Sequence, residues 1–258
     1  MDKTDKNQIK DDIFDFYEKQ SAEKTKSFLS WLESGSPRIP QSKSYYYFED
    51  RKINKALAMA NIKEKASILE IGCNLGQMTF PLAEMGYNMT GFDLSKNAID
   101  LANKRVQHYG VKNIRFEVHD AESYPDKKDE SFDAVFSFSA FRYFPNPQNA
   151  FNEAYRVIRK GGTMIVDFPN KYCPWFHLLK PSLFIKSHIH DNIYTKDQIQ
   201  TMMSDAGFVN ISFSIFLFTY KELPPFLLPF MKIIDFIGEC LPGIRQLAAI
   251  LMVKGEKL

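Results

Sequence analysis

The chain has 258 residues, a length that suits one α/β domain with attached segments. Hydrophobic residues make up 45% and charged residues 25% of it, an ordinary globular composition that argues against overall disorder. The formal net charge is only +2. The strong basic excess typical of nucleic-acid-binding proteins is therefore missing, and we predict no nucleic-acid partner.

The cysteines and the apolar stretches indicate the compartment. Cys73, Cys173 and Cys240 are far apart and have no zinc-site spacing, so neither a disulfide framework nor a metal site is predicted. A reducing, cytoplasmic compartment is the simplest interpretation. The first residues are charged, which argues against a secretory signal. No apolar run reaches the length of about 18 residues expected of a membrane-spanning helix.

Two helices are predicted before residue 61. Residues 1–33 carry apolar side chains at roughly helical spacing among Lys, Asp and Glu. Turn-forming residues at 34–40 mark a loop, and a second helix is predicted for about 45–60. Because segment 1–60 is rich in aromatic residues, we expect it to form a helical lid over a ligand site. Helices packed permanently on the sheet are the alternative.

From Ala66 onward, predicted strands alternate with predicted helices, which indicates βαβ units and a parallel sheet. The predicted strands are 67–71, 88–93, 114–118, 132–137, 163–168, 209–220 and 246–254. The predicted helices are 77–85, 95–108, 147–158 and 195–206, and residues 160–162 are expected to end the third of these. An apolar segment with several prolines, 223–241, separates the last two strands, which we expect to pair with each other.

The first strand runs into a turn with two glycines, Gly72 and Gly76. Glycines there let the backbone approach a ligand closely, at the edge of the sheet where doubly wound folds bind nucleotide-like molecules. The spacing departs from the GxGxxG of dinucleotide sites. Glu70 stands two residues before the first glycine. A carboxylate at that position suits a cationic ligand without phosphates and opposes a pyrophosphate.

Two further acids follow the next two strands. Asp93 comes about 20 residues after the glycine turn, where a carboxylate takes ribose hydroxyls. Asp120 follows the third strand and is placed to accept from an adenine amino group. Each acid alone is equally well explained as a solvated loop residue or a helix cap. Three acids in order at three strand ends favour a binding site.

Together these segments resemble the class I S-adenosylmethionine-dependent methyltransferases, in the group that includes the ubiquinone and menaquinone biosynthetic enzymes. The matching segments are 70–76, 91–95, 119–122, 132–136, 156–162 and 194–208. The resemblance implies a Rossmann-like, doubly wound, mostly parallel seven-stranded sheet with the last strand antiparallel. The N-terminal helical lid and an apolar helical insert, both predicted from the sequence itself, complete the expected fold. The implied cofactor is S-adenosyl-L-methionine, which leaves as S-adenosyl-L-homocysteine.

The resemblance also implies which residues hold the cofactor. The turn at 70–76 lies beneath the methionine part, Asp93 binds the ribose diol, and Leu94 packs on the adenine. Asp120 borders the adenine, and Phe138 lies near the sulfonium. The expected cofactor-binding residues are Glu70, Gly72, Cys73, Asn74, Gly76, Gln77, Asp93, Leu94, Asp120, Ala121 and Phe138.

Asn74 departs from the family pattern, which usually has glycine at this position. Asparagine tolerates a positive φ better than most side chains, so we expect cofactor binding to be retained. The missing glycine leaves two alternatives open. One is a non-catalytic S-adenosylmethionine-binding module, and the other is an NAD-binding Rossmann protein.

We assign no catalytic base from the sequence, because methyl transfer from a sulfonium starts from an activated donor. Positioning and exclusion of water supply much of the rate, while an oxygen acceptor calls for a general base. The candidates for that base are Tyr143, His119 and His177. His188 and His190 resemble a metal pair only if they lie on a strand, and we predict no metal.

The acceptor pocket is expected in the domain 61–258, formed by the inserts 170–195 and 221–245. Segment 223–238 is mostly Phe, Leu, Ile and Met, which favours an apolar wall over the strand ends and a small, apolar or lipid-like acceptor. O-methylation is favoured, with N- or C-methylation open. An edge-covering helix or a dimer contact is the alternative, so monomer and homodimer both stay open. Few lysines flank the segment, so at most weak peripheral membrane contact is expected.

Overall fold

The structure, a computed structural model, describes residues 3–33, 41–174 and 192–258. It begins with two helices, α1 (Lys3–Glu33) and α2 (Lys43–Ala60), as predicted. The hydroxyl of Ser42 caps α2 by accepting from the N–H of Tyr45 at 3.1 Å. Asn61 ends the helix in the left-handed conformation, with φ 49°.

The centre of the molecule is a seven-stranded sheet in the order β3-β2-β1-β4-β5-β7-β6. The strands are β1 (Ser67–Ile71), β2 (Asn88–Asp93), β3 (Ile114–Val118), β4 (Phe132–Ser137), β5 (Ile158–Pro169), β6 (Val209–Phe216) and β7 (Ile250–Glu256). Strands β1 to β5 pair in parallel, whereas β7 runs antiparallel to both β5 and β6. The predicted sheet, its antiparallel last strand and the pairing of the last two strands are therefore confirmed.

Helices cover both faces of the sheet. The remaining helices are α3 (Thr79–Glu84), α4 (Lys96–Tyr109), α5 (Pro147–Val157), α6 (Lys196–Asp205), α7 (Leu228–Cys240) and α8 (Pro242–Arg245). Neighbouring strand residues point to opposite faces, so Ile68 packs with α2, α3 and α4 and Leu69 packs with α5 and α6. Among the described residues, no helix combines the length and the apolar content needed to cross a membrane.

Three strands, β5, β6 and β7, have boundaries that differ from the prediction. Strand β5 begins at Ile158, because the N–H of Gly161 donates to the carbonyl of Lys257 at 2.7 Å and extends the ladder through the predicted stop. Strand β6 ends at Phe216 rather than at residue 220, because Leu217 takes a φ of 68°. Strand β7 begins at Ile250 rather than at residue 246.

Candidate functional site

The turn after β1 is folded against the end of β2. Gly72 and Cys73 donate their N–H groups to the carbonyl of Phe92 at 2.8 and 2.9 Å. Gly72 has φ 75°, and a Cβ there would lie 2.3 Å from the Cβ of Ala140. No larger residue fits this position. Glycine at this position is therefore required by the positive φ and by the packing of the turn against Ala140.

Asn74 adopts the left-handed conformation that the prediction required, with φ 49°. Its side-chain carbonyl accepts from the N–H of Leu75 at 2.8 Å. Its own N–H donates to the carboxylate of Asp93 at 2.8 Å. The asparagine thus takes the conformation that glycine usually supplies and adds a local hydrogen bond.

A matched pair of substitutions at Asn74 tests this conformation. We expect Asn74→Ala to be less stable than Asn74→Gly by about 1 kcal/mol, because a side chain with a Cβ is disfavoured in the left-handed region. Denaturant unfolding of both variants measures the difference. Equal midpoints for alanine and glycine would show that the positive φ at residue 74 carries no strain.

Asp93 connects the turn to the start of α4. Its half-buried carboxylate accepts from the N–H of Asn74 and, at 3.0 Å, from that of Ser95. Burial raises the pKa of Asp93, and the backbone donors oppose the rise. Asp93 therefore lies at the carboxyl end of β2 beside the glycine turn, the place expected of a ribose-binding carboxylate.

Glu70 is buried beneath the same turn. It is 2% exposed, and the hydroxyl of Thr79 donates to its carboxylate at 2.5 Å. Burial raises the pKa of Glu70 to about 8, while the Thr79 bond and the charge of Lys52 lower it. Cys73 is also buried, and burial raises the pKa of its thiol. Gln77 is half-buried at the end of the turn.

The residues expected around the adenine lie together beyond β2 and β3. Leu94, Asp120 and Ala121 are each half-buried. The carboxylate of Asp120 accepts from the N–H of Glu122 at 3.0 Å. His119 points elsewhere. Its ring lies on Phe92, with centroids 4.4 Å apart, and its Nε2 is 3.1 Å from Glu117. This position does not favour His119 as a catalytic base.

Helix α1 crosses this end of the sheet and is fastened at three places. Lys10 pairs with Asp120 and lies 3.4 Å from Glu122. Glu18 accepts from the hydroxyl of Ser95 at 2.6 Å, and Lys6 donates to the Asn146 side chain at 2.6 Å. The later part of α1 is held differently, since its buried apolar residues pack against α4. These residues are Phe28, Trp31 and Leu32.

Tyr143 lies in the short 3₁₀ turn Phe141–Tyr143 after β4, directly under α1. Its ring centroid is 5.6 Å from that of Tyr17, and the two side chains are hydrogen-bonded. Burial raises the pKa of Tyr17, so its hydroxyl stays protonated. The structure therefore brings the predicted candidate Tyr143 to the strand ends and adds Tyr17 from the helix above.

A buried ion pair occupies the ends of β4 and β5. The ammonium of Lys52, on α2, lies 2.8 Å from the carboxylate of Asp167, and the two side chains are 2% and 0% exposed. Lys52 also donates to the hydroxyl of Ser139 at 2.8 Å, and the N–H of Ser139 donates to Asp167 at 2.6 Å. The ammonium is 5.5 Å from the ring centroid of Phe138. Phe138 is thus mostly buried beside this pair.

Sequence reasoning missed Lys52, Ser139 and Asp167. A signal for one of them was present, because Asp167 interrupts the apolar run Met164–Phe168 of a central strand. A charge in such a strand requires a partner. Nothing in the pattern of α2 identifies Lys52 as that partner, since the two residues are 115 positions apart in the chain.

Two more half-buried tyrosines, Tyr45 and Tyr220, lie near one another. We call the surroundings of Lys52, Tyr17, Tyr45, Tyr143 and Tyr220 the acceptor side, because we expect the methyl acceptor there. Tyr45 is hydrogen-bonded to Glu49 on α2, and Tyr220 is hydrogen-bonded to Glu222 after β6. Burial raises the pKa of both tyrosines, and Glu222 contributes to both shifts, so the two side chains are close to one carboxylate. Arg142 lies near both Tyr17 and Tyr220. Together with Tyr143 and Lys52, these residues give the acceptor side its polar groups.

The apolar wall expected from segment 223–238 is not formed by its largest side chains. Phe226, Phe230 and Phe236 are 79%, 62% and 72% exposed. The prediction was wrong for these residues, because α7 turns another side toward the protein, on which Leu228, Asp235 and Gly238 are buried. His177, His188 and His190 lie outside the described residues, as does most of the insert 170–195.

Known proteins similar to this chain agree with the geometry. A sterol 4-C-methyltransferase of Caenorhabditis elegans is 26% identical over 46% of this chain. A phosphoethanolamine N-methyltransferase of the same organism is 26% identical over 69% of it. The chain spans only 38% and 40% of the lengths of these two curated relatives. A demethylmenaquinone methyltransferase of a Geobacillus species is 25% identical over 61% of this chain and 77% of its own length.

Solved structures show the same fold. A possible histamine N-methyltransferase from Thermotoga maritima superposes with a TM-score of 0.64 at 19% identity, covering 95% of this chain and 100% of its own. The [4+2]-cyclase SpnF gives the same TM-score at 16% identity, covering 95% of both chains. Because these two neighbours are named for different reactions, the likeness establishes the architecture alone.

The family assignment comes from a family model described as a methyltransferase domain, which matches residues 62–207, more than half of the chain. This range contains the glycine turn, Asp93 and Asp120. It supports the methyltransferase prediction over the dinucleotide-binding alternative. The chain belongs to the methyltransferase domain family, in its S-adenosylmethionine-dependent class I.

Proposed function

We propose that the enzyme methylates an oxygen atom of a small, uncharged acceptor with an apolar or lipid-like body. The observation that carries the proposal is the composition of the acceptor side. Its buried charges, Lys52 and Asp167, neutralise each other. Glu49, Glu222 and Arg142 also lie beside the tyrosines. We expect the rings and hydroxyls of the tyrosines to meet the acceptor, and these groups suit a neutral hydroxyl compound. These tyrosines are Tyr17, Tyr45, Tyr143 and Tyr220.

The residues present fit the cofactor. Gly72 and Asn74 give the turn at the carboxyl end of β1 its left-handed backbone, and Asp93 offers a carboxylate for the ribose. When bound, S-adenosylmethionine supplies an activated methyl group. We infer that the turn and the acids at 70, 93 and 120 position the cofactor, with Phe138 beside the reacting end. The cofactor set predicted from the sequence, including Leu94 and Ala121, is kept in this proposal.

The chain's own contribution to the reaction is orientation, exclusion of water and removal of one proton. A hydroxyl acceptor loses its proton as the new C–O bond forms. We propose that Glu49 receives that proton through Tyr45, to which it is hydrogen-bonded. Tyr143 and Tyr17 orient the acceptor from the other side. Tyr143 is therefore retained as a substrate-facing residue.

An acceptor screen with labelled cofactor tests the proposed class. We expect apolar phenols and lipid-linked alcohols to be methylated and small polar amines to be poor acceptors. Tyr45→Phe and Glu49→Gln are expected to lower kcat without weakening cofactor binding. Tyr172→Phe is the matched control, since Tyr172 is 62% exposed. Methylation of small polar amines alone would contradict the proposal.

We also propose that α1 is a lid whose later part, residues 28–32, stays fixed to the protein. The polar contacts of residues 6–18 connect it to groups expected to hold the ribose and adenine. The buried apolar residues 28–32 anchor it to α4. Hydrogen exchange with and without S-adenosylhomocysteine is expected to show protection of 6–18 only with ligand, and of 28–32 in both states. Equal and strong protection of both parts in both states would contradict a lid.

The domain limits and the compartment are part of the same proposal. We propose a lid at 1–60 on a cofactor-binding domain at 61–258, with insert 221–245 contributing Glu222 to the acceptor side. The cytoplasm is the proposed compartment, because Cys240 is an exposed free thiol and such thiols persist in a reducing environment. Monomer and homodimer both stay open.

A further inference from the structure

Helix α7 packs on the protein through Leu228, Met231 and Ile234 and is also held by two acids. Asp235 is fully buried and accepts from the N–H groups of two residues in 217–219, at 2.5 and 3.0 Å, and from the Tyr47 hydroxyl at 3.0 Å. Glu239 accepts from a third N–H of that stretch at 2.9 Å and pairs with Arg51 at 2.5 Å. These N–H groups are the ones left over where β6 ends. The two acids replace the lost sheet partners.

The opposite side of the same helix is apolar and exposed. Phe226, Phe230, Ile233, Phe236, Ile237 and Ile244 are between 47% and 79% exposed. Phe230, Ile233 and Phe236 lie three residues apart on α7, and Ile237 is adjacent to the last of them. Phe226 lies in the turn before α7 and Ile244 in α8, and we take the six as one surface. We call this surface the apolar face. Scattered exposed apolar residues are ordinary, but a contiguous set of this size marks an interaction site.

The charges around the apolar face are of one sign. In residues 224–248, both acids are turned toward the protein, whereas both bases, Lys232 and Arg245, are exposed. Lys232 lies over the ring of Tyr47, 5.0 Å from its centroid. Just before this segment, the exposed Glu222 lies 3.5 Å from Lys221. The surface thus combines apolar rings with exposed positive charge.

We propose that the apolar face docks on an anionic lipid bilayer. Apolar side chains inserted at the headgroup boundary, together with basic residues against negative headgroups, are the features of interfacial helices. Docking is independent of the identity of the methyl acceptor.

The position of the face also connects it to the site. Tyr47 and Arg51 on α2 hold α7 in place, and Tyr45, Glu49 and Lys52 on the same helix line the acceptor side. Docking by α7 therefore brings the acceptor side near the lipid. Delivery of an apolar acceptor from the bilayer rests on the proposed function, whereas docking itself does not.

Vesicle flotation of the full chain tests the docking surface. We expect the protein to bind phosphatidylcholine vesicles containing about 30% phosphatidylserine more strongly than phosphatidylcholine alone. The triple variant Phe226→Ser, Phe230→Ser, Phe236→Ser is expected to lose binding by about tenfold or more. The variant Lys232→Gln, Arg245→Gln is expected to lose the preference for phosphatidylserine. The double variant Met85→Ser, Leu258→Ser, which removes exposed apolar residues elsewhere, serves as the control.

Unaltered cofactor binding by the triple variant shows that it is folded, because none of its substitutions touches the cofactor site. Its methyl transfer to a water-soluble phenol is expected to equal that of the wild type, so loss of docking and failure of the proposed reaction give different results. Wild-type protein that binds neither vesicle, or a triple variant that binds as well as the wild type, would overturn the proposal. A wild-type dimer that the triple variant abolishes, without vesicle binding, would identify the face as a self-contact and overturn it as well.

Discussion

Replacing Lys52 with methionine is expected to lower the free energy of unfolding by about 3–5 kcal/mol. The substitution leaves the carboxylate of Asp167, which is 0% exposed, without its positive partner in the interior. Burying an unpaired charge costs far more than losing the attraction itself. Denaturant unfolding at neutral pH measures the change.

Two further variants test whether the loss of stability comes from the unpaired buried charge. The double variant Lys52→Met, Asp167→Asn removes both charges and is expected to recover a large part of the loss. Lys96→Met breaks an ion pair with Asp100 whose side chains are 69% and 50% exposed, and it is expected to unfold at the wild-type midpoint. If Lys52→Met were no more destabilising than Lys96→Met, the buried pair would have no structural role at the ends of β4 and β5.

Replacing Glu70 with glutamine is expected to remove a loss of stability that the wild type shows as pH rises. Burial raises the pKa of Glu70 to about 8, whereas the unfolded chain releases this proton near pH 4.3. Between these values the folded protein holds one proton more than the unfolded chain, so stability falls with pH. The slope approaches about 1.4 kcal/mol per pH unit and levels off above the folded pKa.

The difference between variants isolates this residue from other titrating groups. Unfolding free energies of the wild type and Glu70→Gln are expected to diverge between about pH 5 and pH 8, with the variant relatively more stable at the upper end. Glu64→Gln, at an exposed position, is expected to follow the wild type throughout. Parallel profiles for the wild type and Glu70→Gln would show that the Glu70 carboxyl has an ordinary pKa.

The order of elements could be predicted because each strand is a short apolar run between turn residues. Boundaries depended on pairings that the local sequence does not contain. Strand β5 begins five residues earlier than predicted because Gly161 pairs with Lys257 near the end of the chain. Strand β6 ends early because Leu217 takes a positive φ and residues 217–219 donate to α7.

The cofactor side of the site was accessible from sequence because its acids follow the strands in order, and parallel strands place their carboxyl ends at one edge. The acceptor side was not, because it is assembled from α1, α2 and the end of β6. In helix α7, the large apolar side chains expected to face inward are exposed. Periodicity shows that a helix has two faces, but only the buried Asp235 and the close packing of Gly238 on Phe218 show which face is inward.

Calorimetric titration with S-adenosylhomocysteine and with NAD tests the central claim, that the turn after β1 and Asp93 bind the cofactor. The wild type is expected to bind S-adenosylhomocysteine and not NAD. Asp93→Ala is expected to lose about 1.5–3 kcal/mol of that binding, the value of hydrogen bonds to a charged group. Asp100→Ala, an exposed acid on α4, is expected to bind as the wild type does. Binding of NAD without S-adenosylhomocysteine, or unchanged affinity in a folded Asp93→Ala variant, would contradict the account.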